Sequence, residues 1–108
     1  MDEHKQANET ELHILSLLKG VIDPELGINI IDLGLIYEIS FSEINGIKIL
    51  LTLSSKGCPM GDVIIKMIEE VLATHYPQRN TLVELTWEPA WTTDRITEEG
   101  RHELNMHY

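Results

Sequence analysis

Residues 47–72, IKILLTLSSKGCPMGDVIIKMIEEVL, contain two hydrophobic periods in succession. As far as Leu53 the apolar side chains stand at every second position, which predicts a β-strand with one buried face. From Met60 onward they recur at steps of three and four residues, which predicts a long amphipathic helix. The connection between strand and helix contains Cys58, the only cysteine of the chain. The pattern therefore predicts that this sulfur lies at a helix N-terminus.

Two more strands are predicted on either side of this unit. Residues 37–42 alternate apolar and polar side chains and precede Asn45-Gly46, which predicts a β-hairpin with the strand at 47–53. The long helix is expected to end at Tyr76-Pro77, and a further strand is predicted over residues 81–87. Because a helix separates the last two strands, they form a strand-helix-strand crossover.

Helices are predicted near both ends of the chain. Asn8 and Glu11 fit a capping box for a first helix that ends near Gly20, after a polar tail at residues 1–8. A short last helix begins at Thr97. The elements predict a small two-layer α+β fold, with helices packed against a mixed sheet of three or more strands. The 108 residues are expected to form a single domain.

Net charge narrows the classes of partner. The chain has 18 Asp and Glu residues against 8 Lys and Arg residues, a net charge of -10 at pH 7. Such a protein repels the phosphates of nucleic acids and of anionic membranes, so neither is an expected partner. One cysteine cannot form an intrachain disulfide, and residues 1–4 lack the pattern of a secretory signal. A cytoplasmic protein is expected.

Cys58 is the candidate reactive group. A helix N-terminus stabilises the thiolate, which is the form that attacks electrophiles and binds soft metals. Spacing excludes several chemistries: a redox pair needs a second cysteine where Gly61 stands, a phosphatase loop needs arginine where Ile64 stands, and structural zinc needs four close Cys or His ligands. A thiolate that ligates a metal incompletely remains open, with a homodimer supplying a second sulfur. A thiol enzyme also remains open.

Four ordered segments resemble a known family. They are Asp23-Pro24-Glu25-Leu26-Gly27, the segment IDLGLIY at 31–37, Gly57-Cys58-Pro59, and Trp87-Glu88-Pro89-Ala90-Trp91. Together they are similar to the signature of SufT-like and PaaD-like iron-sulfur cluster assembly domains, over about residues 12–104. The resemblance implies a small α+β protein that carries clusters or hands them to apo-proteins, and thus an assembly factor rather than an enzyme.

The resemblance also implies the residues of the site. Cys58 matches the family's loop cysteine. The residues that it places around this cysteine are Asp23, Glu25, Asp32, Thr52, Ser54, Ser55 and Gly57. Asp23 and Asp32 have a structural alternative, the capping of turns. Trp87 and Trp91 are candidates for docking a client protein, and the alternative is that they cover the core. Lys56 replaces the family's usual proline and puts a positive charge beside the sulfur.

Three functions remain open from the sequence. In the first, Cys58 transiently ligates an iron-sulfur cluster, or iron alone, and delivers it from a scaffold to client apo-proteins. In the second, a metal-free adaptor links cluster scaffolds to clients. In the third, Cys58 serves a thiol-dependent enzyme. Clusters normally take four protein ligands, so one sulfur predicts either a protein isolated without metal or a homodimer that shares a cluster.

Overall fold

The computed structural model describes residues 7–56 and 61–106, and predictions for residues 1–6, 57–60 and 107–108 lie outside these ranges. The elements in chain order are α1 (Glu9–Leu18), β1 (Ile36–Ser42), β2 (Gly46–Leu51), α2 (Gly61–His75), β3 (Thr81–Leu85), a 3-10 turn (Thr93–Arg95) and α3 (Glu98–Met106). None of the described helices is long and apolar enough to cross a membrane.

The described strands form a three-stranded mixed sheet in the order β1-β2-β3. The hairpin strands β1 and β2 pair antiparallel, and β2 pairs with β3 in parallel from Ile47 with Thr81 to Leu51 with Leu85. Gly46 begins β2 at a φ of +82°, and a Cβ there would collide with the carbonyl of Asn80. The predicted α+β fold, with its hairpin and crossover strand, is confirmed.

The hydrophobic core lies between one face of the sheet and the helices α1 and α2. On β2 the alternate residues Ile47, Ile49 and Leu51 are fully buried, as the period of two predicts. On α2 the fully buried residues recur at steps of four: Ile64, Ile68 and Leu72. Each such side chain contributes roughly 1.5 to 3 kcal/mol to stability. The two periods read from the sequence therefore identify the central contact of the fold.

The N-terminal helix closes one edge of the sheet. The side chain of Asn8 accepts a hydrogen bond from the Glu11 N–H at 2.8 Å, and the Glu11 carboxylate accepts one from the Asn8 N–H at 3.0 Å. This is the predicted capping box. The buried Glu11 carboxylate also accepts the N–H of Phe41 in β1 at 2.9 Å, so the cap of α1 is joined to the sheet.

The observed elements are shorter than the predicted ones at three ends. The first helix ends at Leu18, the strand predicted over 47–53 ends at Leu51, and the strand predicted over 81–87 ends at Leu85. Beyond Leu51 one further bond to the β1 side is present, in which the N–H of Thr52 donates to the carbonyl of Leu35 at 2.8 Å, and the regular strand has ended. Alternation of apolar residues continues past this point, so the period alone could not locate the strand end.

Candidate functional site

The candidate site lies at the edge of the sheet where β2 and β3 end. Because these strands are parallel, the segments that follow them leave the sheet on the same side. One segment, Leu53–Lys56, leads toward α2. Cys58 and Gly57 lie in the connection that follows and are outside the described residues. The structure describes the residues that precede and follow this connection in the chain, and the segment 86–91 that follows β3.

A cavity of about 130 Å³ lies between these two segments. Its lining residues are Leu53, Ser54, Ser55, Lys56, Trp87, Ala90 and Trp91. The volume is that of about four water molecules, or of one small side chain from another protein. Four of the residues predicted for the site, two serines and two tryptophans, thus line one cavity together with Lys56, the last described residue before the connection.

The two tryptophans are held differently. The indole N–H of Trp91 donates to the carbonyl of Leu33 at 2.7 Å, so its ring is fixed against the turn that precedes β1. Trp87 has the Lys56 ammonium at 5.8 Å from its ring centroid, a cation-π distance. Both rings are half-buried and pack against the core. Each tryptophan therefore covers the core with one part of its surface and lines the cavity with another.

Tyr37 and Arg95 support the cavity wall and were not predicted from the sequence. The Tyr37 hydroxyl donates to the carbonyl of Pro89 at 2.8 Å, and the Arg95 guanidinium lies 4.4 Å from the Tyr37 ring centroid. The sequence did contain a signal that could have identified Tyr37, because this residue ends the segment 31–37 that resembles the family signature. Two of the four signature segments thus contact each other directly, through Trp91 with Leu33 and through Tyr37 with Pro89.

Asp23 caps a turn. It is only 2% exposed, and its carboxylate accepts the N–H groups of Glu25 at 2.7 Å and Leu26 at 3.2 Å. The turn closes where the N–H of Gly27, at a φ of +72°, donates to the Asp23 carbonyl at 2.8 Å. Glu25 is exposed on this turn. These contacts are those of an Asx turn, the structural alternative given for this aspartate.

Asp32 fastens the last helix to the rest of the fold. Its carboxylate accepts the side-chain amide of Asn29 at 2.8 Å and the hydroxyl of Thr97 at 2.9 Å. Thr97 caps α3, because its hydroxyl also accepts the N–H of Gly100 at 3.0 Å. Asp32 is not among the residues that line the 130 Å³ cavity. Its described contacts are structural.

Thr52 stands out among the polar residues that were predicted for the site, although it does not line the cavity. Its side chain is fully buried, and its hydroxyl has no hydrogen-bond partner within the described part of the chain. A buried hydroxyl without a partner typically costs about 1 to 3 kcal/mol. Thr52 lies between β2 and the cavity-lining segment that begins at Leu53. Residues 7–56 and 61–106 contain no group of three or more His, Cys, Asp or Glu side chains that could hold a metal ion.

Residues 11–85 match the family model described as iron-sulfur cluster assembly protein. The chain belongs to this family. The resemblance to SufT-like and PaaD-like assembly domains is thereby confirmed. The family match ends at the last residue of β3, so the segment Trp87–Trp91 lies beyond it.

Two bacterial relatives of the family align over most of their length. The Fe-S protein maturation auxiliary factor SufT of Staphylococcus aureus is 40% identical over 86 residues, which are 80% of this chain and 98% of that protein. The Fe-S protein maturation auxiliary factor YitW of Bacillus subtilis is 34% identical over 94 residues, 87% and 92% of the two chains. A domain of unknown function from Bacillus anthracis has a similar crystal structure, with a TM-score of 0.83 and 36% identity, covering 89% of this chain and 92% of that one.

Proposed function

We propose that this protein is a cytoplasmic maturation factor for iron-sulfur proteins, in which Cys58 transiently ligates a cluster, or iron, and passes it to an apo-protein. Membership in the iron-sulfur cluster assembly family supports a role in cluster assembly. The relatives from Staphylococcus aureus and Bacillus subtilis are named Fe-S protein maturation auxiliary factors. A reducing cytoplasm, where a single thiol stays unpaired, suits this chemistry.

The observation that carries the proposal is the cavity lined by Lys56, which is the last described residue before the connection that contains Cys58. Lys56 lines it and brings a positive charge to within two residues of the sulfur, which favours the thiolate. The exposed Ser54 and Ser55 offer hydroxyl donors to a cluster sulfide, and the buried Thr52 hydroxyl has no partner among the described residues. Hydrogen bonds of this kind tune the stability of a bound cluster.

Incomplete ligation is part of this function. Cys58 is one sulfur, whereas a cluster normally takes four protein ligands, so the others must come from the donor or the acceptor protein. A cluster held in this way leaves readily for a site with more cysteines. The net charge of -10 attracts partners with a basic surface and speeds their encounter at low ionic strength.

A metal-free adaptor is the second candidate function. The cavity is open between two half-buried tryptophans and has room for one small side chain, which is a feature of a protein docking site. In this case the partner's side chain would fill the cavity, and Cys58 would not be needed for binding.

Cluster transfer distinguishes these functions. Protein loaded with iron and sulfide without oxygen is mixed with an apo-ferredoxin, and the acceptor's circular dichroism is followed. We expect the wild type to transfer a cluster and Cys58→Ser to transfer none. Equal transfer by both forms would contradict ligation by Cys58. If the adaptor function is correct, Trp91→Ala weakens binding to a scaffold or client protein and Cys58→Ser leaves that binding unchanged.

A further inference from the structure

The two edges of the sheet are closed to different degrees. At the β1 edge, the Phe41 N–H donates to the Glu11 carboxylate and the Phe41 carbonyl accepts the Asn8 side-chain amide at 3.2 Å, so α1 covers this edge. In the described ranges no further strand pairs with the outer edge of β3. Four of the five residues of β3 are exposed. The edge open to another strand is therefore that of β3.

The hydrogen bonds at both ends of β3 show which of its backbone groups face outward. The Asn80 carbonyl accepts the Ile47 N–H, and the Thr86 N–H donates to the Leu51 carbonyl, both at 2.8 Å. Along a strand, the backbone N–H and C=O groups of successive residues point alternately to one side and the other. The backbone groups of residues 82 and 84 therefore face β2 as well. The N–H and C=O groups of Thr81, Val83 and Leu85 consequently point away from the sheet.

This edge lacks the usual features that block strand addition. Proline, lysine, a bulge or a very short strand commonly protect such edges. The strand TLVEL contains neither proline nor lysine, and its pairing with β2 is regular. Leu82 is 52% exposed and Leu85 is 40% exposed, on opposite faces. The charge of Glu84 is paired with Lys48 of β2 at 3.5 Å.

We propose that β3 pairs antiparallel with β3 of a second copy, about a two-fold axis at Val83, to form a continuous six-stranded sheet. In this register Val83 exchanges two hydrogen bonds with Val83 of the second copy. Thr81 of each copy exchanges two hydrogen bonds with Leu85 of the other copy. The three outward-facing residues of each chain are thus all satisfied.

The side chains of β3 suit a second copy in this register, whereas the net charge of the chain opposes association. On the face opposite the helices, Leu82 lies across from Glu84 of the second copy, so no two like charges are directly opposed. On the helix face, Val83 meets Val83, and the exposed Leu85 meets Thr81. The net charge of -10 on each copy opposes association at low ionic strength. Salt should therefore strengthen the dimer, because it screens this repulsion.

This dimer is separate from the proposed cluster transfer. The 130 Å³ cavity lies where β2 and β3 end, and antiparallel pairing puts the cavities of two copies at opposite ends of the six-stranded sheet. Association therefore needs no metal. A failure of the dimer would leave the proposed function untouched, and the reverse also holds.

Sedimentation velocity of the metal-free full chain measures dimerisation. Variants at Leu82 test the register, because only in this register does residue 82 face Glu84 of the second copy. Leu82→Glu places a carboxylate opposite Glu84 of the second copy, whereas Leu82→Lys places an ammonium there. We expect Leu82→Glu to weaken dimerisation at least about tenfold, since two like-charge pairs are created per dimer, and Leu82→Lys to leave it within about threefold. Ile44→Glu, at the 91% exposed hairpin tip, is the matched control and should leave it unchanged.

Three results would overturn the proposal. The first is a wild-type protein that stays monomeric up to about 1 mM at high salt. At this concentration even a weak interface, with a dissociation constant of about 1 mM, forms dimers. The second is equal dimerisation of the Glu and Lys variants with unchanged melting temperatures. The third is a monomer whose β3 edge binds an extended basic peptide instead, with an affinity that falls as salt rises.

Discussion

Asp32 shows how a residue predicted for the site is used in the fold. Its carboxylate accepts hydrogen bonds from Asn29 and from Thr97, which is 65 residues further along the chain. The sequence contained the aspartate and a turn signal but nothing that linked it to Thr97. Thr52 is the opposite case: its hydroxyl is buried without a partner among the described residues, and its place near the cysteine stays a prediction.

Replacement of Asp32 distinguishes a role of this residue in stability from a role in the cluster site. Asp32→Ala removes both side-chain hydrogen bonds to the carboxylate, so we expect the free energy of unfolding to fall by about 2 kcal/mol. Urea denaturation measures this change. Asp94→Ala, at an exposed aspartate in the 3-10 turn, is the control and should change stability by less than about 0.5 kcal/mol. Unchanged stability together with lost iron loading would show instead that Asp32 belongs to the cluster site.

The elements of this fold were predictable wherever one hydrophobic period continued long enough. The alternation of β2 and the steps of four along α2 coincide with the buried residues. The capping box of α1 was also correct, because it depends on residues three apart in the chain. The segment 86–97 was not predictable, since its conformation follows from long-range contacts such as Trp91 with Leu33 and Tyr37 with Pro89.

Glu11 should contribute more to stability than an ordinary helix cap, because its carboxylate also bonds to β1. Glu11→Ala leaves the N–H groups of Asn8 and Phe41 without their acceptor, so we expect a loss of about 2 to 3 kcal/mol in the free energy of unfolding. Glu9→Ala, an exposed residue of the same first turn, should cost less than about 1 kcal/mol. Equal effects in urea denaturation of the two variants would refute the link between α1 and β1.

For the molecule as a whole, the sequence predicted the family, the α+β architecture and the end of the sheet where the candidate site lies. It could not predict the cavity, because a cavity depends on how segments distant in sequence pack. The signature segments ending in Tyr37 and Trp91 looked independent in the sequence, yet they contact each other, and the second one supplies Trp87, Ala90 and Trp91 to the cavity lining. Under the proposed function, the charge and the site serve one activity, the exchange of iron-sulfur cargo with basic partner proteins.

Anaerobic reconstitution with ferrous iron and sulfide tests whether Cys58 ligates a cluster. Iron per chain and visible absorbance are measured after removal of unbound metal for the wild type, for Cys58→Ser and for the control Ser55→Ala, which removes only a hydroxyl from the cavity lining. We expect iron and colour in the wild type, retained to a large part in the control and absent from Cys58→Ser. Equal iron and colour in the wild type and Cys58→Ser would contradict ligation by Cys58.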